Sequence, residues 1–136
     1  MPANYLEEVL KPGQAVNPLF AFLGVGTVEI GPERVVLELP FRPEFIQGAG
    51  AVAGGVVAAL ADEAMAHVVL ANLAQGQKTA TIEMTVRYFR PVLKSSLTAV
   101  AVLVNKGRRI ISAEALVTDG ENRQVAKAGG SFFVIE

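Results

Sequence analysis

The stretch from Gln47 to Ala66, QGAGAVAGGVVAALADEAMA, limits the folds open to this chain of 136 residues. From Val56 to Leu73 the residues are mostly Ala, Leu, Val and Met. The pattern predicts one long helix that ends near Gln75-Gly76. A helix that is apolar nearly all round needs cover on most sides, and a sheet wrapped around it supplies that cover. Inside the run stand two acids, Asp62 and Glu63. Carboxylates rarely enter apolar runs without a partner or a task, because burying charge is costly. Upstream lie Gly48, Gly50, Gly54 and Gly55. A Gly-Gly step that opens a helix leaves backbone N–H groups free to polarise an acceptor. A donor of that kind and an acid, spaced along one element, point to a catalytic site.

Composition narrows the chemistry. The length fits one domain, residues 1–136, with room for a real core. Hydrophobic residues make up 51% of the chain and charged residues 18%. Such a chain is not disordered, and part of its apolar surface is expected between subunits. The net charge is −1. With no basic block beyond Lys106, Arg108 and Arg109, nucleic acid is not an expected partner. There is no cysteine, which excludes disulfides, thiolate metal sites and a cysteine nucleophile. One histidine, His67, cannot build a histidine-rich metal cluster, and no Gly-x-Ser-x-Gly elbow is present. The N-terminus lacks the apolar core of a signal peptide. The apolar run from Ala49 to Ala61 is too short to span a membrane. A cytoplasmic location without membrane contact is the expectation.

Around the helix the chain reads as strands. Tyr5–Leu10 suggests a short helix stopped by Pro12-Gly13, and Asn17–Phe22 another turn. Gly24–Ile30 and Arg34–Leu39 alternate and read as a hairpin turned at Gly31-Pro32-Glu33. Thr79–Phe89, TATIEMTVRYF, is β-branched and alternating. Ser96–Asn105, Arg108–Thr118 and Gln124–Ile135 follow, separated by short turns. The last four strands are therefore expected to form an antiparallel meander. The fold class is α+β: one long central helix wrapped by a curved antiparallel sheet.

That order resembles the hotdog fold. The segment Gln47–Ala64 is similar to the signature of PaaI-like and 4-hydroxybenzoyl-CoA thioesterases, an amide, a glycine, His-Gly-Gly, and then a helix carrying an acid. TIEMTVRYFRP, Thr81–Pro91, looks like the family's strand ending in Arg-Pro. The resemblance covers most of the chain and implies acyl-CoA thioester hydrolysis. It matches Gln47 to the amide position and Gly54 and Gly55 to the helix start. Asp62 falls on the catalytic carboxylate, as base or nucleophile, and Thr81 on a Ser/Thr position of some members. The thioester carbonyl would meet the Gly54 or Gly55 N–H. Ala59 and Ala66, on the face of Asp62, would line the acyl pocket. Arg90, Lys106, Arg108 and Arg109 could contact the CoA phosphates through charge-assisted bonds, the plainer reading being that such surface residues are simply solvated. The resemblance also implies a homodimer or a dimer-of-dimers tetramer with an interfacial site. It implies no metal or redox cofactor, CoA being part of the substrate. Ala53 stands where the family commonly has histidine.

Plainer readings stand beside these. Asp62 can serve as a cap or an ion-pair partner at an interface. Glu63 can pair with His67 four residues on. Gly54-Gly55 can exist for close helix–sheet packing. Ala53 disfavours hotdog dehydratase chemistry, which needs a histidine there. It also keeps open an acyl-CoA-binding protein without turnover. A purely structural module is the third alternative.

Overall fold

A computed structural model describes all residues, 1–136. Two short helices come first, α1 (Tyr5–Val9) and α2 (Pro18–Leu23). Strands β1 (Gly26–Ile30) and β2 (Val35–Leu39) form the expected hairpin. A 3-10 turn, Pro43–Phe45, leads to the long helix α3 (Gly54–Leu70). Four strands follow, β3 (Lys78–Tyr88), β4 (Leu97–Lys106), β5 (Ile110–Asp119) and β6 (Gln124–Ile135). All six strands share one antiparallel sheet in the order β1-β2-β4-β5-β6-β3. No helix is long and apolar enough to cross a membrane.

The four-strand meander is corrected by this order. Only β4, β5 and β6 run as a meander. β3 crosses to the far edge and pairs with β6 rather than β4. The short Phe89–Ser96 link, broken by Pro91, looks like a hairpin loop in the sequence. Its residues instead carry the chain from one edge of the sheet to its interior.

The sheet wraps α3 as its apolar surface requires. Val57, Leu60, Ala61, Ala64, Met65, Val68 and Val69 of α3 are buried. They meet the inward residues of the sheet, among them Ala99, Ala101, Ala113, Ala115, Ala128 and Phe132, in one core. Alanines on both surfaces, Ala61 and Ala64 on the helix and Ala99, Ala101, Ala113, Ala115 and Ala128 on the sheet, let helix and sheet approach closely. Gly130 marks the tightest point. A Cβ there would lie 3.2 Å from the Glu83 carbonyl and 3.4 Å from the Met65 methyl. The helix starts two residues before the expected Val56 and ends at Leu70, short of Leu73. Asn72 closes it: its side-chain amide donates to the Val68 carbonyl at 2.8 Å and to Pro32 at 2.9 Å.

α1 and α2 are fastened to α3 through His67, which is 3% exposed. Its Nδ1 lies 2.6 Å from the Glu63 carbonyl and its Nε2 2.8 Å from the Tyr5 hydroxyl. A carbonyl can only accept, so Nδ1 carries the proton and Nε2 accepts from Tyr5. The Tyr5 oxygen in turn accepts from Asn17 Nδ2 at 2.8 Å, and Asn17 Oδ1 caps α2 at the Phe20 N–H. The Phe20 ring packs on the imidazole at 4.9 Å. The expected Glu63–His67 side-chain pair is thus corrected. The histidine uses the backbone of Glu63, because a buried neutral ring is better satisfied by a carbonyl and a hydroxyl than by a charge.

Burial pushes the His67 imidazole below the usual histidine range. Its neutral form is favoured in the fold. As pH falls below about 6.5 the unfolded chain takes up a proton that the folded chain resists, so stability declines. Glu63 acts in the opposite sense: burial first, then the neighbouring Asp62, raises its carboxyl. That group binds a proton more readily in the fold, so its contribution rises as pH drops toward about 4.5. Urea midpoints are therefore expected to fall between about pH 7.5 and 5.5. His67→Gln, which keeps a donor and an acceptor but does not titrate, flattens that slope.

Candidate active site

The N-terminus of α3 is open. Ala53 occupies the N-cap and offers no capping side chain. The N–H groups of Gly54 and Gly55 have no acceptor in the chain, as the geometry of a helix start dictates. Packing does not account for both glycines. A Cβ at Gly54 would touch the Tyr88 ring at 3.4 Å, but one at Gly55 would meet nothing within 4 Å. Gly55 therefore presents bare backbone to open space.

Around this terminus lies a cavity of about 380 Å³ bordered by Gln47, Gly54, Val57, Tyr88 and Arg90. Gln47 sits in the exposed loop before the helix. Its side-chain oxygen accepts from the Ala49 N–H, and its backbone N–H donates to the Ala51 carbonyl at 2.8 Å. Arg90 is exposed and follows β3. It also borders a second cleft of about 820 Å³ that contains Lys94 and Arg123. Asp119 and Glu121 line that cleft too, and Arg123 is paired with Asp119 at 2.8 Å.

Asp62 lies two turns further along α3. Its Oδ1 accepts from the Thr81 hydroxyl at 2.9 Å. A bulge between Thr81 and Glu83 interrupts the β3–β6 ladder at this point. Thr81 is paired with the core-facing Phe132, so its side chain rises on the helix side of the sheet. Bulges commonly re-aim a strand residue at a functional position. Ala59 and Ala66, three residues before and four after Asp62, are half-buried on the same stripe. Glu63 is rotated about 100° away, toward α1 and α2.

The residues named from the sequence fall into two groups. Gln47, Gly54, Gly55 and Arg90 gather at the helix terminus. Asp62, Thr81, Ala59 and Ala66 gather at mid-helix. Gly55 and Asp62 are seven residues apart, so about 10 Å of helix separates them. Within one chain, the two groups do not meet around one atom. Sequence reading missed Tyr88. Its hydroxyl donates to the Gly54 carbonyl at 2.6 Å, and its ring walls the cavity. Burial raises its phenol above the usual range. The one signal was an aromatic two residues before Arg90, on the strand face that alternation turns toward α3.

Residues 49–126 match the thioesterase superfamily, and the chain belongs to it. A candidate esterase of Saccharolobus solfataricus is 27% identical over 98% of this chain and 93% of its own length. The phenylacetic acid degradation protein PaaI of Thermus thermophilus, solved as a point variant, is 27% identical. It covers 86% of this chain and 98% of its own, with a TM-score of 0.79. A Haemophilus influenzae thioesterase matches in fold, with a TM-score of 0.85 over 100% of this chain and 92% of that one, at 22% identity. The architecture is the hotdog fold, and the chain is a PaaI-like thioester hydrolase.

Gly55 keeps a helix-weakening residue where space and backbone allow alanine. Gly55→Ala is therefore expected to raise the unfolding free energy by about 0.5 kcal/mol. Urea denaturation of the purified variant checks this.

Proposed function

We propose that the protein hydrolyses acyl-CoA esters as a homodimer or a dimer of dimers. In this reading the α3 terminus of one subunit works with Asp62 of a second. The observation that carries the proposal is the separation of about 10 Å between Gly55 and Asp62 along one helix. Two groups that act on one carbonyl must both lie within hydrogen-bond reach of it. A second copy resolves the conflict. β3 supports such pairing: it is 11 residues long, lies at the sheet edge, and leaves one side of its backbone unpaired. Long open edges favour strand addition. Its Ile82 is 52% exposed, an apolar side chain suited to an interface.

The chemistry follows from the residues. The Gly55 or Gly54 N–H polarises the thioester carbonyl and takes up the negative charge that develops on its oxygen. Gln47 orients the carbonyl or the water. Asp62 either removes a proton from an attacking water or attacks the carbon itself. The Thr81 hydroxyl holds Asp62 in one rotamer. Collapse of the tetrahedral intermediate breaks the C–S bond. The acid and the protonated CoA thiol leave, with one water consumed. Water and a carboxylate suffice, and no metal or redox group enters the scheme. Arg90 supports CoA as the leaving group, since it stands between the helix-terminus cavity and the larger cleft with Lys94 and Arg123.

Ala53 favours a second reading, an acyl-CoA-binding protein without turnover, because it supplies no polar group at the helix start. Thiol release from a panel of acyl-CoA esters separates the two. The chain has no cysteine to interfere with a thiol-reactive dye. Release by the wild type that falls at least about 100-fold in Asp62→Asn supports hydrolysis. Binding without release supports the second reading. Arg90→Ala is expected to raise KM for CoA esters about tenfold, and to leave esters of a short, phosphate-free thiol unaffected in steady-state assays.

A further inference from the structure

A third cavity, of about 240 Å³, lies between the N-terminal residues Met1–Glu7 and the C-terminal end of α3. Met1, Leu6, Leu70 and Leu73 give it apolar walls. None of these residues takes part in the chemistry described above. The cavity exists because α1 is held at a fixed place. Tyr5, in α1, is tied to His67 and Asn17 by the buried hydrogen bonds at 2.8 Å. Leu6 is its chain neighbour and so is fixed with it.

One residue of the cavity wall, Leu70, also lies on the side of α3 that carries Ala66 and Asp62. Successive residues on that side of α3 are Ala59, Asp62, Ala66 and Leu70, and each is only half-buried. Leu73 extends the line beyond the helix end. Ala66, the residue between Asp62 and Leu70 on this line, is small and only partly buried, so side chains stay low along the track it defines. Leu70 belongs both to the track and to the cavity wall. From Asp62 to Leu70 is eight residues, or about 12 Å of helix. A thioester with its carbonyl at Asp62 and its acyl group directed along this track has its far end in the cavity. A single aromatic ring would stop at Ala66 and leave the cavity unused.

We infer that the protein takes aliphatic acyl thioesters, and that the cavity between α1 and the end of α3 receives the tail of the acyl chain. The inference rests on the proposed role of Asp62 as the place where the thioester carbonyl sits. It assigns Leu70, Leu73 and Leu6 as specificity-determining residues. It also gives the Tyr5–His67–Asn17 cluster a task, that of holding the cavity wall.

The test compares kcat/KM for butyryl-, octanoyl-, dodecanoyl- and phenylacetyl-CoA in the wild type, Leu73→Trp and Leu73→Ala. The wild type is expected to favour octanoyl or dodecanoyl over phenylacetyl esters. Filling the cavity in Leu73→Trp should lower the dodecanoyl-to-butyryl ratio about tenfold or more, the scale on which an apolar pocket separates chain lengths. Leu73→Ala should move the optimum toward longer chains. A preference for phenylacetyl-CoA, or an unchanged ratio in folded Leu73→Trp, would overturn the inference. Absence of hydrolysis from every ester would instead overturn the proposed reaction. In that event titration with a non-hydrolysable dodecyl-CoA thioether decides the cavity. Weaker binding to Leu73→Trp upholds it, and equal binding to both proteins rejects it.

Discussion

Burial of α3 is the constraint on which the rest of the structure depends. A helix apolar nearly all round cannot stand at a surface. The curved sheet covers most of it, and α1 and α2 cover the side of Glu63 and His67. A stripe through Gly55, Ala59, Asp62, Ala66 and Leu70 remains only partly covered. The candidate chemistry occupies that stripe. The core and the site are two sides of one helix, so a change in how the sheet grips α3 would move Asp62 as well.

The two neighbouring acids show how a one-residue step sorts function from structure. Asp62 faces β3 and is bonded to Thr81 at 2.9 Å. Glu63 turns toward the N-terminal helices, where burial raises its carboxyl. The same rotation gives its carbonyl to His67. One acid is left facing the open stripe, and the other belongs to the fastening of α1 and α2. The pairing of helix residues at i and i+4 suggested a Glu63–His67 contact, and the contact exists. Its chemistry differs because Tyr5, 62 residues away in sequence, supplies the second partner.

That example marks where the sequence was legible. The long helix, the hairpin and the later strands follow from local pattern, and β6 matches its expected bounds, Gln124–Ile135. Alternation in TATIEMTVRYF puts Thr81 on the face opposite Tyr88, and only the bulge between Thr81 and Glu83 turns it to the helix side, where it meets Asp62. The position of β3 was not legible. Its place beside β6 depends on long-range pairing, and no residue near Pro91 specifies it. Tyr88 was hidden for the same reason: its role arises only when β3 is laid across the start of α3. The helix end at Leu70 depends on Asn72 reaching the β1–β2 turn, again a contact made across the fold.

The edge position of β3 links assembly to chemistry in the proposed dimer. A six-stranded sheet with an 11-residue strand at its margin carries an exposed row of backbone donors and acceptors, which proteins either cover or pair. Pairing with a second copy satisfies that row. It also brings a second α3 alongside the first, because Thr81 and Tyr88 tie β3 to the middle and the start of α3. The donors at Gly55 and the carboxylate at Asp62 are too far apart in one helix to share a carbonyl. Two helices related by a two-fold axis can offer the terminus of one to the middle of the other, twice over. The edge left open by the fold and the site left incomplete by the helix then have the same solution.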